Sequence, residues 1–236
     1  MRLSVLRHHG EDEPGLLAAA FATAGFELEL HDGAGTGPLP DPEATDAVVV
    51  LGSVWSVYDR SAVGGWIDAE LDWLRDLDRR GVAVLGVCFG AQALAAAHGG
   101  AVEPAPRKEI GWVELDPGTP DPPGRGPWFE WHGDRCVPPP GAEVLASNEV
   151  AVQAFRVGRH LAVQFHPEVD RAQLARWIAN GGGSQLRAVG VDSDELMELT
   201  AGHEAAAAVR AERLVEAFLA GAGSPNQSRV PPCRAG

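Results

Sequence analysis

Cysteine, tyrosine and methionine are scarce in this sequence. Its 236 residues include three cysteines, one tyrosine and two methionines. Three cysteines that stand far apart do not make a disulfide framework, and a chain without one is typical of a reducing compartment. We therefore expect a cytoplasmic protein.

Positive charge is also in short supply. The chain has 19 lysines and arginines against 33 aspartates and glutamates, which gives a formal net charge of −14. Nucleic acids and anionic membrane surfaces select basic patches, so this balance argues against both as partners. No apolar run approaches the ~20 residues of a membrane span, and the apolar stretch at the N-terminus is too short for a signal peptide.

The spacing of apolar residues predicts alternating strands and helices in the first part of the chain. Strands are predicted at residues 3–6, 26–30 and 47–51, and helices at 16–24 and 66–80. The strand at 47–51 is apolar throughout, which is typical of a strand inside a parallel sheet.

The remainder of the chain predicts shorter strands and two more helices. Short strands at residues 143–146, 152–155 and 161–165 predict antiparallel hairpins, and residues 101–116 predict a strand, a loop and a second strand. Helices are predicted from Asp170 to just before the glycines at 181–183, and from Asp192 to about residue 220. We predict one domain over residues 1–221, followed by a disordered Gly/Ser/Pro-rich tail at 222–236.

The segment at residues 82–100 carries the first candidate functional group. It predicts an apolar strand, a tight turn and an Ala/Leu-rich helix that two glycines end. Cys88 stands in the turn between Gly86 and Gly90, which allow a sharp bend. A thiol at a helix N-terminus feels the positive end of the helix dipole, which favours the thiolate. The alternative is a buried structural cysteine in a strand–helix turn.

A second segment supplies a candidate base. A predicted strand ends at His166, and Glu168 follows two residues later. A distant cysteine needs such an imidazole, and a carboxylate that orients it, to form a catalytic triad. Taken singly, His166 would be a core histidine and Glu168 a helix-start carboxylate, but their combination with Cys88 favours a triad.

The two motifs together resemble the class I, triad-type glutamine amidotransferases. They are GVCFGAQ at residues 86–92 and QFHPE at residues 164–168. The resemblance implies an α/β fold, a flavodoxin-like three-layer sandwich with a central, mostly parallel sheet and a small antiparallel β addition. It also implies that Cys88 attacks glutamine, that His166 is the base and that Glu168 orients it.

The resemblance further implies an oxyanion hole. One donor would be the backbone N–H of Phe89, and the other would come from the turn at Gly52 and Ser53. This chain has Ser53-Val54 where Gly-Pro is common in the family. If the turn needs a left-handed residue, a serine costs about 1 kcal/mol or more. The departure leaves the second donor and its preorganisation open.

Substrate contacts are implied in the same way. Gln92, one helical turn after Cys88, would help to hold the substrate. The backbone of a short strand would bind the α-amino and α-carboxylate groups of glutamine, here Val152, Gln153 and Ala154. The family has a His-Gly-Asp turn near the active-site mouth, and we interpret His132 and Asp134 as structural or partner-facing rather than catalytic.

Neither a metal nor an organic cofactor is expected. His8 and His9 are adjacent, but neighbours in sequence rarely face one ion and no spaced partner follows them. Thioester chemistry on Cys88 needs no cofactor. No Gly-rich phosphate loop follows a predicted strand, so a synthetase that uses the ammonia would be a separate protein.

Three functions remain open on the sequence. The first is a glutaminase that passes ammonia to a separate synthetase. The second is a partner-independent hydrolase of γ-glutamyl amides or peptides, whose wider pocket would be shaped by Ser53-Val54 and by Trp55, Trp112, Trp128 and Trp131. The third is a non-catalytic regulatory homologue, which is disfavoured because every triad residue is present.

Overall fold

The computed structural model describes residues 1–10, 12–115 and 125–223. The strands are β1 (Arg2–Arg7), β2 (Glu27–Asp32), β3 (Ala47–Val50), β4 (Ala83–Val87), β5 (Ala101–Glu114), β6 (Pro127–Val137), β7 (Glu143–Ser147), β8 (Val152–Val157) and β9 (His160–Val163). The α-helices are α1 (Gly15–Thr23), α2 (Arg60–Val63), α3 (Ile67–Arg79), α4 (Phe89–Ala97), α5 (Arg171–Trp177), α6 (Gly183–Val189) and α7 (Ser193–Ala222). Most of the predicted tail lies outside the described residues.

A seven-stranded sheet of order β2-β1-β3-β4-β9-β8-β7 forms the centre of the fold. Its first five strands pair in parallel, and β8 and β7 continue it with antiparallel pairing. Strand β9 pairs with β4 in parallel, with Val163 opposite Val87, so the residues after these two strands emerge at the same edge of the sheet. The predicted central, mostly parallel sheet is confirmed.

Successive residues of the buried strands point to opposite faces of the sheet, as strand geometry requires. In β3, Val49 packs in a core with α1 and α7, whereas Val48 packs in a second core with α3 and α4. Helices cover both faces, which is why the central strands are apolar throughout rather than alternating. No helix among the described residues combines the length and apolar character needed to cross a membrane.

Two predictions for the middle of the chain were wrong. Residues 101–114 form one strand, β5, with a register shift between Pro104 and Glu109 in place of a loop. The predicted His-Gly-Asp turn lies inside β6, which pairs antiparallel with β5 in a separate two-stranded sheet. This ribbon of β5 and β6 contains Gly111, whose φ is +118°. A glycine often indicates a loop in a sequence, but here it lies within a strand.

The helix predicted to end before the glycines at 181–183 does end there. The residues directly after α5 are still helical, but the backbone leaves the helical conformation at Asn180 and at Gly181, whose φ is +108°. A separate short helix, α6, begins at Gly183 and was not predicted. A third apolar cluster explains this helix, because Leu186 of α6 packs with Phe129, Leu174 and Leu196.

Candidate active site

Cys88 occupies a strained turn between β4 and α4. Its φ is +50° and its ψ is −103°, and its backbone N–H donates to Val163 O of β9 at 2.8 Å. A Cβ built on Gly86 would lie 2.6 Å from Gly90 O, and one built on Gly90 would lie 2.2 Å from Val50 O. Both glycines are therefore required for α4 to pack against the strand ends. Strain of this kind at a non-glycine residue is frequent at functional sites.

His166 and Glu168 form a buried pair just after β9. His166 Nδ1 lies 2.7 Å from Glu168 Oε1, and the two residues are 5% and 2% exposed. The backbone N–H of His166 donates to Phe129 O of β6 at 2.7 Å, and this bond holds the backbone that carries the imidazole. Burial opposes protonation, but the charges of Glu168 and Cys88 raise the pKa of His166 well above its usual value.

Gly52, just after β3, packs against both Cys88 and the His166 ring. A Cβ built on it would be 3.0 Å from His166 Cε1 and 3.6 Å from Cys88 Cβ. His166 Nε2 is buried and has no hydrogen-bond partner among the described residues, so it is available to a reacting group. Gln164 Nε2 also approaches Cys88 Sγ, at 3.5 Å. The structure thus brings the three predicted triad residues to one place.

These residues open into a cavity of about 380 Å³, which suits a small-molecule ligand. Its wall includes Cys88, His166 and Glu168, together with Gly52, Ser53 and Gln92 of the predicted site. The cavity lies at the carboxyl ends of β1, β3, β4 and β9, where open α/β sheets bind their ligands.

The turn predicted to complete the oxyanion hole carries no left-handed residue at Ser53. Among the described residues, Ala34 and Cys88 are the non-glycine residues with positive φ. The strain anticipated for a serine at position 53 is therefore absent. Ser53 Oγ instead accepts from Trp55 N–H at 3.3 Å, a local bond that stabilises the turn.

Asp134 of β6 anchors the same loop from the other side. Its carboxylate accepts from the Ser56 hydroxyl and from the Tyr58 hydroxyl, the latter at 2.8 Å. His132 and Asp134 also contribute to the cavity wall. These contacts fit the structural role expected of Asp134 and place it beside the predicted oxyanion turn.

The residues predicted to bind substrate divide into two groups. Gln92 is 2% exposed and lines the cavity, and its N–H donates to Cys88 O in the first turn of α4. The predicted strip on β8 does not reach the wall: Val152, Gln153 and Ala154 are absent from the lining. Gln153 is buried and donates to Glu109 Oε2 at 2.9 Å, which is a structural bond. Part of β6, from Trp131 to Asp134, occupies the wall instead.

Aromatic side chains form much of the outer wall. Trp55 stacks on His9 with ring centroids 4.9 Å apart, and Trp177 meets Trp131 edge-on at 5.9 Å. A Cβ on Gly182 would lie 2.9 Å from the Trp131 ring, so the glycine turn is needed for that close approach. Trp112 and Trp128, expected in the same set, instead stack beneath the Arg210 guanidinium of α7.

A buried cluster of Glu109, Glu130 and His132 lies beside the cavity. The ligand atoms of the three are within 4.8 Å of one another, which would suit a metal ion. Burial lowers the pKa of His132, but hydrogen bonds to Glu109 and Glu130 raise it to about 10. A protonated ring has no lone pair for a metal: Nδ1 contacts Asp134 O at 2.8 Å and Nε2 contacts the carboxylates at 3.1 and 3.3 Å. We interpret the cluster as a buried ion-pair network.

Several wall residues escaped the sequence analysis. Asp12 accepts from the Trp177 indole N–H at 3.0 Å, and burial raises the pKa of its carboxyl group. Lys108 also lines the cavity. Position in the sequence could have indicated Asp12, because it follows β1, one of the strands whose carboxyl ends meet at the cavity. Lys108 and Trp177 reach the cavity from other parts of the chain and carry no such signal.

Comparisons with known proteins identify the family. Residues 17–181 match the family model described as glutamine amidotransferase class-I. A glutamine-hydrolyzing GMP synthase from Aromatoleum aromaticum is 40% identical in an alignment of 158 positions that covers 57% of this chain and 29% of the relative. The protein of the same name from Ralstonia pickettii is 30% identical in an alignment of 200 positions that covers 75% of this chain and 35% of the relative. The chain belongs to the class I glutamine amidotransferase family.

The solved structures agree on the fold. A glutamine amidotransferase from Thermotoga maritima has a TM-score of 0.84 and 24% identity, covering 95% of this chain and 99% of that one. This likeness confirms the predicted flavodoxin-like architecture. The chain spans about a third of the length of the curated relatives that it matches.

Proposed function

We propose that the chain hydrolyses the γ-carboxamide of glutamine through a thioester on Cys88. The observation that carries the proposal is the meeting of a strained cysteine at a helix N-terminus with a buried imidazole–carboxylate pair on one cavity wall. A Cys, a His and a carboxylate so placed are the parts that acyl transfer needs. Membership of the amidotransferase family supports the choice of glutamine as substrate.

The first half of the reaction forms the acyl-enzyme. The thiolate of Cys88 attacks the amide carbon, and the electron pair of the carbonyl moves to its oxygen. The N–H groups of Phe89 and Ser53 stabilise that oxygen, and removal of one well-aimed donor typically costs about 10²–10³ in kcat. The imidazolium of His166 then protonates the amide nitrogen, the C–N bond breaks and ammonia leaves.

The second half releases glutamate. Neutral His166 accepts a proton from a water molecule, whose oxygen attacks the thioester carbon. The C–S bond breaks, and the products are glutamate and the Cys88 thiolate beside a reprotonated imidazole. Glu168 holds the ring through Nδ1 in both halves and stabilises the imidazolium.

The ammonia is proposed to pass to a separate synthetase. The curated relatives are named glutamine-hydrolyzing GMP synthases, and this chain matches about a third of their length. We carry over the glutamine hydrolysis of that name and assign synthesis to a partner protein. A synthetase partner predicts that ammonia release from glutamine is slow with the purified chain and rises when the partner is added.

The test is ammonia release from glutamine by the wild type, Cys88→Ala and Cys136→Ala. Cys136 is the matched control, because its thiol is also buried but lies outside the cavity wall. We expect Cys88→Ala to abolish release and Cys136→Ala to retain activity within about threefold, because the Cys136 thiol reaches Cys88 only through a weak contact with Gln164 and touches no reacting atom. Full release by Cys88→Ala would refute the mechanism. No release from any amide by the wild type, either alone or with the partner synthetase added, would favour a non-catalytic homologue.

The aromatic wall supports a second candidate, a hydrolase of larger γ-glutamyl amides that needs no partner. Trp55, Trp131 and Trp177 line the cavity beside the triad and would pack against a bulky amine. A panel of γ-glutamyl amides, from glutamine to aromatic amines, distinguishes the two candidates. A higher kcat/KM for bulky amides than for glutamine, without a partner, would establish the second.

A further inference from the structure

His8 holds the loop after β3 from behind the cavity. It follows β1, and its Nδ1 lies 3.3 Å from Gly52 O. Its Nε2 lies 3.1 Å from each carboxylate oxygen of Glu70, near the start of α3. His8 is 6% exposed and Glu70 is 1% exposed, and neither residue lines the cavity. The His8–Glu70 pair thus connects the residues after β1 and β3 to helix α3 by polar contacts.

The ring is fixed on every side. A backbone carbonyl can only accept, so Nδ1 of His8 carries the proton in its contact with Gly52 O. The Glu70 carboxylate binds the opposite nitrogen and prevents rotation of the ring. The Trp66 and Phe89 rings contact its remaining surfaces, with centroids 5.4 and 4.7 Å away. Phe89 is the residue whose N–H forms the first oxyanion donor.

The bond to Gly52 O determines where the next N–H points. In a trans peptide the C=O and the N–H are antiparallel, so a carbonyl directed at His8 turns the Ser53 N–H away from it. Gly52 and Ser53 line the cavity, whereas His8 lies behind them and does not. A Ser53 N–H that points away from His8 therefore points toward the cavity. If the peptide flipped, the Ser53 N–H would face the N–H of His8, and both donors would lose their partners.

We propose that His8 is a positioning residue that keeps the Gly52–Ser53 peptide in the orientation that binds the oxyanion, and that Glu70 only holds the His8 ring in place. The inference rests on the proposed hydrolysis of glutamine and deepens it. It explains how a turn with Ser53 and Val54, and without a left-handed residue there, holds a preorganised donor. His8 touches neither substrate nor the reacting atoms, so its effect is on geometry alone.

Two substitutions at one position separate positioning from packing. In His8→Asn the side-chain amide nitrogen can stand near the place of Nδ1 and donate to Gly52 O. In His8→Gln the amide stands near the place of Nε2, so the contact with Glu70 is kept and the donor to Gly52 O is lost. His31→Gln, on strand β2 away from the cavity, is the matched control for a histidine replacement.

The measurements are kcat and KM for ammonia release from glutamine, and the rate of Cys88 alkylation by iodoacetamide. Alkylation needs the thiolate but no oxyanion. We expect His8→Gln to lower kcat by about 10- to 100-fold, because a misplaced donor loses most of its effect. Its KM and alkylation rate should stay within about threefold, and His8→Asn should retain most of kcat. His31→Gln should match the wild type.

Three kinetic results would overturn the inference: equal kcat for His8→Gln and the wild type, equal losses in His8→Gln and His8→Asn, or an alkylation rate that falls as far as kcat. Crystal structures of the wild type and His8→Gln supply a readout independent of turnover. We expect the Ser53 N–H to face the cavity in the wild type and to lose that orientation in His8→Gln. If the Gly52–Ser53 peptide has the same orientation in both structures, the positioning role of His8 is refuted, whether or not the wild type hydrolyses glutamine. Absence of glutamine hydrolysis would instead refute the proposed function.

Discussion

Replacement of Glu168 by glutamine removes the charge that stabilises the imidazolium of His166 while nearly preserving its shape. The bond that it alters is 2.7 Å long, and both partners are at least nine-tenths buried. A charge-assisted hydrogen bond of this kind contributes about 1.5–3 kcal/mol, and breaking a buried ion pair costs about 3–5 kcal/mol. A loss of about 2–4 kcal/mol in the transition state corresponds to a kcat about 30- to 1000-fold lower.

The pH profile gives a second readout of the same substitution. Burial lowers the pKa of His166, and the charges of Glu168 and Cys88 raise it well above its usual value. Without the Glu168 charge the imidazolium deprotonates at lower pH, so the alkaline limb of the kcat profile should move toward neutrality. Glu143→Gln, on the edge strand β7, is the control for loss of a carboxylate. A Glu168→Gln enzyme with kcat within threefold of the wild type and an unmoved alkaline limb would refute the reasoning.

Three further predictions concern packing, charge and substrate binding. Gly90→Ala should lower the melting temperature by about 2–12 °C, since its methyl group would collide with Val50 O and overpacking costs about 1–3 kcal/mol; an unchanged melting temperature would contradict the close packing of α4 on β3. Glu109→Gln should destabilise the protein at pH 8. Burial lowers the pKa of His132, but hydrogen bonds to Glu109 and Glu130 raise it to about 10, and the stability that this provides is full below the unfolded pKa and falls as pH rises from there through about 10. Glu130→Gln also removes a partner of the ring, but burial raises the pKa of the Glu130 carboxyl group, so its ionisation already disfavours the folded state above the unfolded pKa and its loss should destabilise the protein less; equal thermal shifts for the two variants would contradict this. Lys108→Gln should raise KM for glutamine up to about tenfold with kcat little changed, if its ammonium binds the substrate carboxylate; an unchanged KM would exclude that contact.

The sequence predicted the parts of this structure that depend on local patterns. The apolar strand at 47–51 and the strand–turn–helix around Cys88 carry their own signals, namely continuous apolar residues, a glycine pair and an Ala/Leu-rich run. The motifs at 86–92 and 164–168 indicated the family because their order and separation are specific. The fold class and the meeting of Cys88 with His166 followed from these.

Residues placed by long-range pairing were harder to predict. Trp131 and Asp134 reach the cavity because β5 and β6 form one ribbon, and the glycines within that ribbon suggested turns. Trp177 reaches it because α5 packs on the third apolar cluster. His8 appeared in the sequence as half of an adjacent His-His pair, and its partner Glu70 lies 62 residues away on helix α3.

The thioester on Cys88 can be detected by the intact mass of the wild-type protein after an acid quench during glutamine turnover. We expect an adduct of one glutamyl group, mapped by peptide digestion to Cys88 and absent from Cys88→Ala. The adduct should accumulate further in variants in which the attack of water is slowed. Ammonia release at full rate with no adduct on Cys88, or with an adduct on another residue, would contradict a Cys88 thioester.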